Sequence, residues 1–328
     1  MDRVRTMRIV IVGSGGTGGY FGAKLARAGH DVIFVARGDH LQAIRENGLR
    51  IKSAIDGDWT VTASAVATLD DQPVADLVLF CVKSFDTESA AELVKPVLGS
   101  HTGVLSLQNG IDNEEKLARI LGADHVIGGI AYTFSHIMAP GVIAHQQLAR
   151  IVCGEFEGGA SKRILAFAEA CTSAGILTEI VPRIRKSLWE KYAFLTAFAG
   201  ATALTRMPVK VIREVPALRR SWQCQIDELL TLARADDAGL DENMTDRCVT
   251  FLESLAPISY TSLYYDLIQG KRLELDALHG HAVCLGERYG IATPTLSAVY
   301  AGLLPYRDGT PRVVHDPPRR CPQEAAYL

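Results

Sequence analysis

The sequence predicts an α/β fold in which an N-terminal Rossmann-type doubly wound sheet is followed by an all-helical C-terminal domain. Residues 8–37 read as a short apolar strand, a glycine-rich turn, a helix and a second strand, which is the βαβ unit that binds a dinucleotide. Apolar strands and helical patterns then alternate, as in a parallel sheet covered by helices. Beyond Pro182 the patterns are almost exclusively helical, so we expect a domain boundary there.

This boundary divides the 328 residues into a nucleotide-binding domain over 1–182 and a helical substrate and dimerisation domain over 183–311. Two domains agree with the tendency of chains of this length to split into separate cores. The tail over 312–328 contains adjacent prolines, adjacent arginines and no periodicity, which predicts a flexible segment.

The elements of both domains follow from apolar runs separated by glycine, proline and polar turns. In the first domain the predicted strands are residues 9–12, 32–35, 49–52, 59–63, 76–82, 104–107 and 126–131, and the helices are 17–28, 40–47, 86–98 and 114–121. Residues 142–145 and 150–153 are predicted as two short antiparallel strands, before a helix at 162–174 and a strand at 177–181. The predicted helices of the second domain are 187–205, 217–238, 245–256, 261–267, 273–289 and 295–304.

The composition is that of an ordinary globular protein, with 48% apolar and 22% charged residues. The formal net charge of −3 gives no reason to expect nucleic acid or an acidic membrane as a partner. Seven scattered cysteines without a C-x-x-C pair indicate reduced thiols in a cytoplasmic protein, with neither disulfides nor a metal site. The most apolar stretch, residues 192–204, is too short to span a bilayer, which needs about 20 residues.

The turn after the first strand has the spacing G-x-G-x-x-G, which predicts a site for the pyrophosphate of a dinucleotide. Gly13 permits the tight turn, Gly15 lacks the Cβ that would block the phosphates, and Gly18 lets the helix pack on the strand. The phosphates would lie on the N–H groups at the helix N-terminus. The alternative is a tight turn without a ligand. The predicted cofactor-binding residues are Gly13, Ser14, Gly15, Gly16, Thr17 and Gly18.

Arg37 ends the second strand, where units that bind NAD usually carry Asp or Glu for the ribose 2′-hydroxyl. A guanidinium offers paired donors to phosphate oxygens, so Arg37 favours NADP with its 2′-phosphate. The alternative is a solvated surface arginine.

Lys83 and Asn109 each follow a predicted buried strand. Because ligands bind beyond the carboxyl ends of the strands in open α/β sheets, we expect both side chains near the cofactor and the substrate. Lys83 would approach the nicotinamide or a substrate carboxylate, and Asn109 a cofactor amide or a substrate oxygen. The alternative is ordinary loop polarity.

Lys191 stands near the start of an almost wholly apolar helix. Desolvation beside such a surface lowers the pKa of a lysine toward the range useful for proton donation. Reduction of a ketone needs one hydride and one proton, and a lysine ammonium also polarises the carbonyl. The alternative is a solvated lysine at a helix end.

The segment from residue 262 to 276 contains a serine and three carboxylates that could face a cleft: Ser262, Asp266, Glu274 and Asp276. Glu274 and Asp276 are two residues apart, so on one helix only one of them can face a given cleft. The alternative is a set of solvated carboxylates.

Taken in order, these motifs resemble ketopantoate reductase (2-dehydropantoate 2-reductase) over nearly the whole chain, from Met7 to about Pro311. The resemblance is carried by GSGGTG at residues 13–18 with Arg37, VKSFD at 82–86, LQNG at 107–110, LWEK at 188–191, the segment 262–276, and GIATPT at 290–295. No single motif decides the match; their order and spacing do.

The resemblance implies reduction of the C2 ketone of 2-dehydropantoate to pantoate by NADPH, a step in pantothenate biosynthesis. Lys191 would donate the proton, with Glu274 holding or tuning it, so Lys191 and Glu274 are the predicted catalytic residues. Lys83, Asn109, Lys191 and Ser262 would bind the substrate, with Lys83 and Asn109 also contacting the cofactor. The resemblance also implies a homodimer.

One departure concerns the substrate. Family members often carry Asn four and eight positions after the lysine, where this chain has Leu195 and Ala199. The pocket is therefore more apolar, and reduction of another 2-keto acid stays open. The β-hydroxyacid dehydrogenases also resemble this architecture, but they usually pair the lysine with an Asn that Leu195 replaces. A non-catalytic NADPH-binding sensor also stays open, although a sensor needs only the nucleotide site.

Overall fold

The computed structural model describes residues 5–311, and its first half is built on a parallel sheet. The parallel strands are β1 (Arg8–Val12), β2 (Asp31–Val35), β5 (Ser64–Val66), β6 (Leu77–Phe80), β7 (Gly103–Ser106) and the start of β8 (Val126–Ala139). Their order is β5-β2-β1-β6-β7-β8, in which the chain winds outward from β1 in both directions. The predicted doubly wound sheet is confirmed, and β5 is a three-residue strand that the sequence pattern did not predict.

The sheet continues into a mixed half, because β8 is more than twice as long as predicted. Its distal part pairs antiparallel with β9 (Val142–Gly154). On the other side of β9 lie β3 (Leu49–Ser53) and β10 (Leu177–Ile180), both parallel to it, and β4 (Gly57–Val61) pairs antiparallel with β3. The result is one ten-stranded mixed sheet.

The prediction of two short strands at residues 142–145 and 150–153 is wrong, since both belong to β9. The intervening polar residues hid the continuity from the sequence pattern. Leu148 takes a left-handed conformation with φ +63°, and the ring Nε2 of His145 lies 2.7 Å from its carbonyl oxygen. This bond supports a local irregularity inside the strand rather than its end.

Helices cover both faces of the parallel strands. Helix α1 (Gly16–Arg27) lies between the two halves of the sheet, with Tyr20, Phe21 and Leu25 in one core with Ile11 and Ile143. Helix α5 (Lys162–Ser173) joins that core, and α2 (Gly38–Asn47) packs at its edge. Helices α3 (Thr87–Val94) and α4 (Asn113–Leu121) cover the opposite face.

The second half is helical and centres on α6 (Ile184–Thr205), which is buried along most of its length. Around it lie α7 (Val209–Glu214), α8 (Pro216–Ala235), α9 (Met244–Ser254), α10 (Ser262–Ile268), α11 (His281–Tyr289) and α12 (Pro294–Leu303). These helices form a separate core that includes Trp189 and Trp222. The sequence pattern missed the short α7. The predicted domain limits, 1–182 and 183–311, stay a prediction.

Two helix starts differ from the prediction and move candidate residues. Helix α6 begins at Ile184 rather than 187, which places Lys191 in its third turn. The predicted helix 273–289 begins later, with a π-helical turn at Asp276–Gly280 before α11. Glu274 therefore precedes the helix. Just before it, the Leu273 N–H donates to the Arg307 carbonyl oxygen at 2.8 Å.

Within residues 5–311, no helix has the length and apolarity needed to cross a membrane. The predicted flexible tail at 312–328 lies outside the described residues.

Candidate active site

Polar side chains from both halves of the molecule meet at the carboxyl edge of the parallel strands. The loop at residues 13–18 follows β1, Lys83 follows β6, and Asn109 follows β7. Lys191 of α6 contacts Asn109, and Glu274 contacts Lys83, so the helical half closes over this edge. This is the edge where open α/β sheets bind their ligands.

The glycine-rich loop has the geometry of a pyrophosphate cradle. Gly13 has φ +98°, and a Cβ there would lie 2.6 Å from the Val82 nitrogen. A Cβ on Gly18 would overlap the Gly13 carbonyl oxygen, so α1 packs on β1 only with glycine at this position. Gly15 caps α1 without a side-chain bond, and a Cβ there would meet no protein atom within 4 Å. The first N–H groups of α1 therefore face an open side, which fits a dinucleotide phosphate.

The other loop residues have structural roles of their own. A Cβ on Gly16 would overlap the Ser135 carbonyl oxygen, because the loop packs against β8. The Ser14 hydroxyl donates to the Val35 carbonyl oxygen at 2.8 Å, so this side chain fixes the loop to β2. Thr17 is half-buried, and its side chain has no hydrogen bond within the described structure. Any cofactor contact by Ser14 or Gly16 would therefore use the backbone.

His40 holds the loop in place, a role that the sequence did not indicate. Its Nδ1 accepts from the Gly141 N–H at 3.0 Å, so its Nε2 carries the hydrogen and donates to the Ser14 carbonyl oxygen at 2.8 Å. Gly141 lies in the turn between β8 and β9, 101 residues further along the chain. Nothing local in the sequence signals a bond over that separation.

Arg37 lies exposed two residues after β2, at the N-cap of α2. Its Nη1 is 3.9 Å from Asp86 Oδ2, and both side chains are largely solvated. Such an ion pair contributes little, so the guanidinium remains available to an anion at the ribose end of a bound dinucleotide.

Lys191 is held by two neutral oxygen atoms. Its Nζ donates to Asn109 Oδ1 at 3.1 Å and to the Ala131 carbonyl oxygen at 3.3 Å. Burial lowers the pKa of Lys191 to about 8, although the charges of Glu274 and Glu114 act in the opposite direction. The structure thus brings two predicted residues, Lys191 and Asn109, into contact and gives the lysine the pKa of a usable proton donor.

Lys83 and Glu274 form a second polar cluster. Lys83 Nζ donates to Asp266 Oδ2 at 2.7 Å and to Glu274 Oε2 at 2.9 Å. Burial alone would lower the pKa of Lys83, but the two carboxylates outweigh it and raise that pKa above its ordinary value. Burial likewise opposes ionisation of Glu274, but Lys83 and the Ser84 N–H, at 3.0 Å, hold its pKa below the ordinary value.

Glu274 is therefore an ionised carboxylate bonded to Lys83. Within residues 5–311 no hydrogen bond joins it to Lys191, the residue that the resemblance pairs with it; only its charge acts on Lys191. Asp276 points away and accepts from the Tyr300 hydroxyl at 2.8 Å. Of the two carboxylates, Glu274 is the one that faces the cleft.

Ser262 is the exposed first residue of α10. Thr261 caps the helix, its hydroxyl oxygen accepting from the Tyr264 N–H. Ser262 is one turn before Asp266, so it lies on the helix face that reaches Lys83. Its hydroxyl makes no bond to another described residue, and the structure places it near the Lys83 cluster rather than in contact with Lys191.

A small cavity adjoins Lys191 and is mostly apolar. It is lined by Asn109, Ile130, Leu188, Tyr192 and Leu195, among others. Leu195 is thus at the cavity wall, whereas Ala199, one turn further, is fully buried. The departure from the family pattern affects the cavity through Leu195.

Glu114 is a buried carboxyl that the sequence analysis assigned no role. An acid in the first turn of a helix ordinarily indicates a solvated interaction with the helix dipole, so its position gave no signal.

Two sequence models of known families match the chain. Residues 9–158 match "Ketopantoate reductase PanE/ApbA", and residues 183–306 match "Ketopantoate reductase PanE/ApbA C terminal". The chain belongs to the ketopantoate reductase family. The resemblance drawn from the sequence motifs is confirmed, and the family is one of oxidoreductases.

Individual proteins agree with this membership. A 2-dehydropantoate 2-reductase from Halobacterium salinarum is 32% identical over 311 residues, which cover 92% of this chain and 100% of that protein. The crystal structure of a PanE/ApbA family ketopantoate reductase from Ralstonia eutropha JMP134 has a TM-score of 0.85 at 32% identity, covering 92% and 98% of the two chains. D-mandelate dehydrogenase, solved with NADH and anilino(oxo)acetate, shares the fold with a TM-score of 0.84 at 20% identity, covering 92% of this chain and 98% of that chain.

The glycine-rich loop can be tested with two matched variants. Gly18→Ala should destabilise the protein, because its methyl group overlaps the Gly13 carbonyl oxygen. Overpacking against backbone costs about 1–3 kcal/mol, measured as the free energy of unfolding in a urea titration. Gly15→Ala should unfold like the unchanged protein and lose binding of the reduced nicotinamide dinucleotide, followed by nucleotide fluorescence. Undiminished dinucleotide binding by the folded Gly15→Ala variant would contradict the phosphate site.

Proposed function

We propose that this protein reduces 2-dehydropantoate to pantoate with NADPH, a step in pantothenate biosynthesis. The observation that carries the proposal is the half-buried Lys191 ammonium, held by Asn109 at the edge where the glycine-rich loop opens. A sensor would need only the nucleotide site, whereas this arrangement adds a positioned acid. Relatives that carry the name 2-dehydropantoate 2-reductase support the substrate.

The proposed mechanism divides the reduction between cofactor and protein. The chemistry that bound NADPH supplies is a hydride for the C2 carbonyl carbon of the substrate. The Lys191 ammonium polarises the carbonyl oxygen and gives it a proton as it becomes an alkoxide. With a pKa of about 8, Lys191 is charged at neutral pH and releases a proton readily to the much more basic alkoxide. Asn109 keeps the ammonium aimed at the cleft.

We place the substrate carboxylate in the cleft, on the Ser262 hydroxyl. Ser262 is exposed on the α10 face that reaches Lys83, so its hydroxyl is the donor for a carboxylate arriving there. Lys83 is paired with two carboxylates, Asp266 and Glu274, so the cluster carries a net negative charge, and the direct role of Lys83 is to hold the two halves together across the cleft. Arg37 supports NADPH as cofactor, since its exposed guanidinium can bind the 2′-phosphate that distinguishes NADPH from NADH.

A second candidate is the reduction of a 2-keto acid with an apolar side chain. Leu195, one turn after Lys191 on α6, favours it, because it offers no hydrogen bond to a substrate hydroxyl. A cytoplasmic location and a homodimer remain part of the proposal in either case.

The proposal is tested by NADPH oxidation, followed by absorbance, with 2-dehydropantoate and a panel of 2-keto acids with apolar side chains. The main proposal predicts the highest kcat/KM for 2-dehydropantoate, and the second candidate predicts it for an apolar 2-keto acid. Tight NADPH binding without turnover of any substrate would overturn both and favour the sensor.

Lys191→Ala should lower kcat by about a thousandfold, the size of effect expected for loss of a general acid. NADPH binding should be kept, since Lys191 is held by Asn109 and Ala131 and not by the glycine-rich loop. Lys210→Ala, at an exposed lysine of α7, is the matched control. Turnover near that of the control would refute the role of Lys191.

Arg37→Glu should raise the KM for NADPH about 10- to 100-fold, because it replaces a charge-assisted bond to phosphate with repulsion. The KM for NADH should change far less. Arg220→Glu, an equal charge reversal at an exposed position of α8, controls for net charge. Equal changes for both cofactors would remove Arg37 from the 2′-phosphate site.

A further inference from the structure

The oxygen that holds Lys191 belongs to a closely packed turn between β7 and α4. Asn109 Oδ1 accepts from Lys191 Nζ at 3.1 Å, so the direction of the ammonium depends on how this turn orients Asn109. Gly110 follows with φ +109°, and a Cβ there would lie 3.0 Å from Asn113 Nδ2 and 3.3 Å from the Ala277 carbonyl oxygen. The turn therefore closes around the side chain of Asn113.

Asn113 fixes this turn with both ends of its side-chain amide. It is the first residue of α4 and is 1% exposed. Its Nδ2 donates to the Asn109 backbone carbonyl oxygen at 2.8 Å, and its Oδ1 lies 3.2 Å from the Thr87 hydroxyl oxygen. A carbonyl oxygen can only accept, so the Asn109 carbonyl determines which end of the amide faces it and leaves Oδ1 for the hydroxyl hydrogen of Thr87.

Thr87 connects Asn113 to the loop that follows β6. Gln108 Nε2 donates to the Val82 carbonyl oxygen at 3.1 Å and to Thr87 Oγ1 at 2.8 Å. The Thr87 hydroxyl hydrogen is therefore directed toward its two acceptors, Asn113 Oδ1 and the Ser84 carbonyl oxygen at 2.9 Å. The loops after β6 and β7 are thus joined through buried side chains, and Asn113 is anchored to more than its own helix.

Asn113 does not act as an ordinary helix cap. A capping side chain accepts from N–H groups at the start of its helix, whereas Asn113 donates to the carbonyl oxygen of a residue outside the helix. The bond instead fixes the backbone of Asn109, whose side chain carries the acceptor for Lys191.

We propose that Asn113 is a positioning residue that holds Asn109 in the orientation that directs Lys191 toward the cleft. The Asn113 side chain is buried and bonded to Asn109 and Thr87, so it acts on the ammonium through Asn109 rather than by contact. The consequence for catalysis rests on the proposed function, whereas the alignment of Lys191 does not.

The first test compares two variants of α4. Asn113→Ala removes both bonds, so kcat should fall about 10- to 100-fold, the size of effect expected for a misplaced catalytic group, with the KM for NADPH unchanged. Leu117→Ala, at a fully buried apolar position one turn further along, loosens the helix without touching Asn109 and should keep kcat. A normal kcat in Asn113→Ala, or an equal fall in Leu117→Ala, would overturn the proposal.

A double-mutant cycle separates positioning from general damage. Asn109→Ala removes the acceptor for Lys191, so the addition of Asn113→Ala to that variant should lower kcat no further. Losses that add in full would show that Asn113 does not act through Asn109 and would contradict the proposal.

NMR titration of the lysine side chains in the full-length, lysine-labelled protein tests the alignment without substrate, with the Lys191 signal assigned by its loss in Lys191→Arg. An amide oxygen stabilises an ammonium, though less than a carboxylate does, so Asn109→Ala should lower the Lys191 midpoint by about one pH unit. Asn113→Ala should lower it in the same direction and by no more, and Leu117→Ala should leave it unchanged. An unchanged midpoint in folded Asn113→Ala would refute the positioning role.

A second pair of variants keeps the proposal testable if Asn113→Ala folds poorly. Thr87→Val nearly keeps the shape of the side chain but lacks the hydroxyl, whereas Thr87→Ser retains it. Thr87→Val should lower the Lys191 midpoint and kcat, and Thr87→Ser should stay near the unchanged protein. Equal behaviour of the two variants would contradict a role for this bond.

The titration separates this inference from the proposed function. If no 2-keto acid is reduced while the Lys191 midpoint still depends on Asn113, the proposed function fails and the positioning role stands. If reduction occurs and neither kcat nor the midpoint responds to Asn113, the reverse holds.

Discussion

The bond between the Lys191 ammonium and the Asn109 side chain connects the two halves of the molecule at the point where chemistry is expected. Burying an ammonium is costly unless oxygen atoms surround it, and here Asn109 and the Ala131 carbonyl oxygen provide them. Both oxygens are neutral, so they hold the group without raising its pKa as a directly bonded carboxylate would. The contrast with Lys83 is direct, since two carboxylates raise the pKa of that lysine.

The glycine-rich loop depends on a second constraint, the packing of α1 between the two halves of the sheet. Close approach on both sides is possible because α1 is rich in glycine, and Gly16 and Gly18 would both overlap backbone atoms if they carried a Cβ. His40 then fixes the loop to the turn between β8 and β9. The nucleotide site is therefore shaped by the mixed half of the sheet as well as by the βαβ unit.

Local patterns were enough to predict the βαβ unit, the alternation of strands and helices, and the helical second half. They failed where a distant contact decides the outcome. The polar residues around Leu148 look like a strand break, but β9 continues because β8 pairs with it both before and after that residue. Glu274 was expected to hold or tune Lys191. It is bonded to Lys83 instead, because of the way the segment before α11 crosses the cleft. His40 gave no signal, because its partner Gly141 lies 101 residues away in the sequence.

The pH dependence of kcat/KM for reduction is the most direct test of the central claim that a half-buried, charged Lys191 supplies the proton. The free protein must carry the ammonium, so activity should be full below the pKa of Lys191 and fall about tenfold per pH unit above pH 8. A rate that stays level up to about pH 10, where an ordinary lysine titrates, would contradict the account.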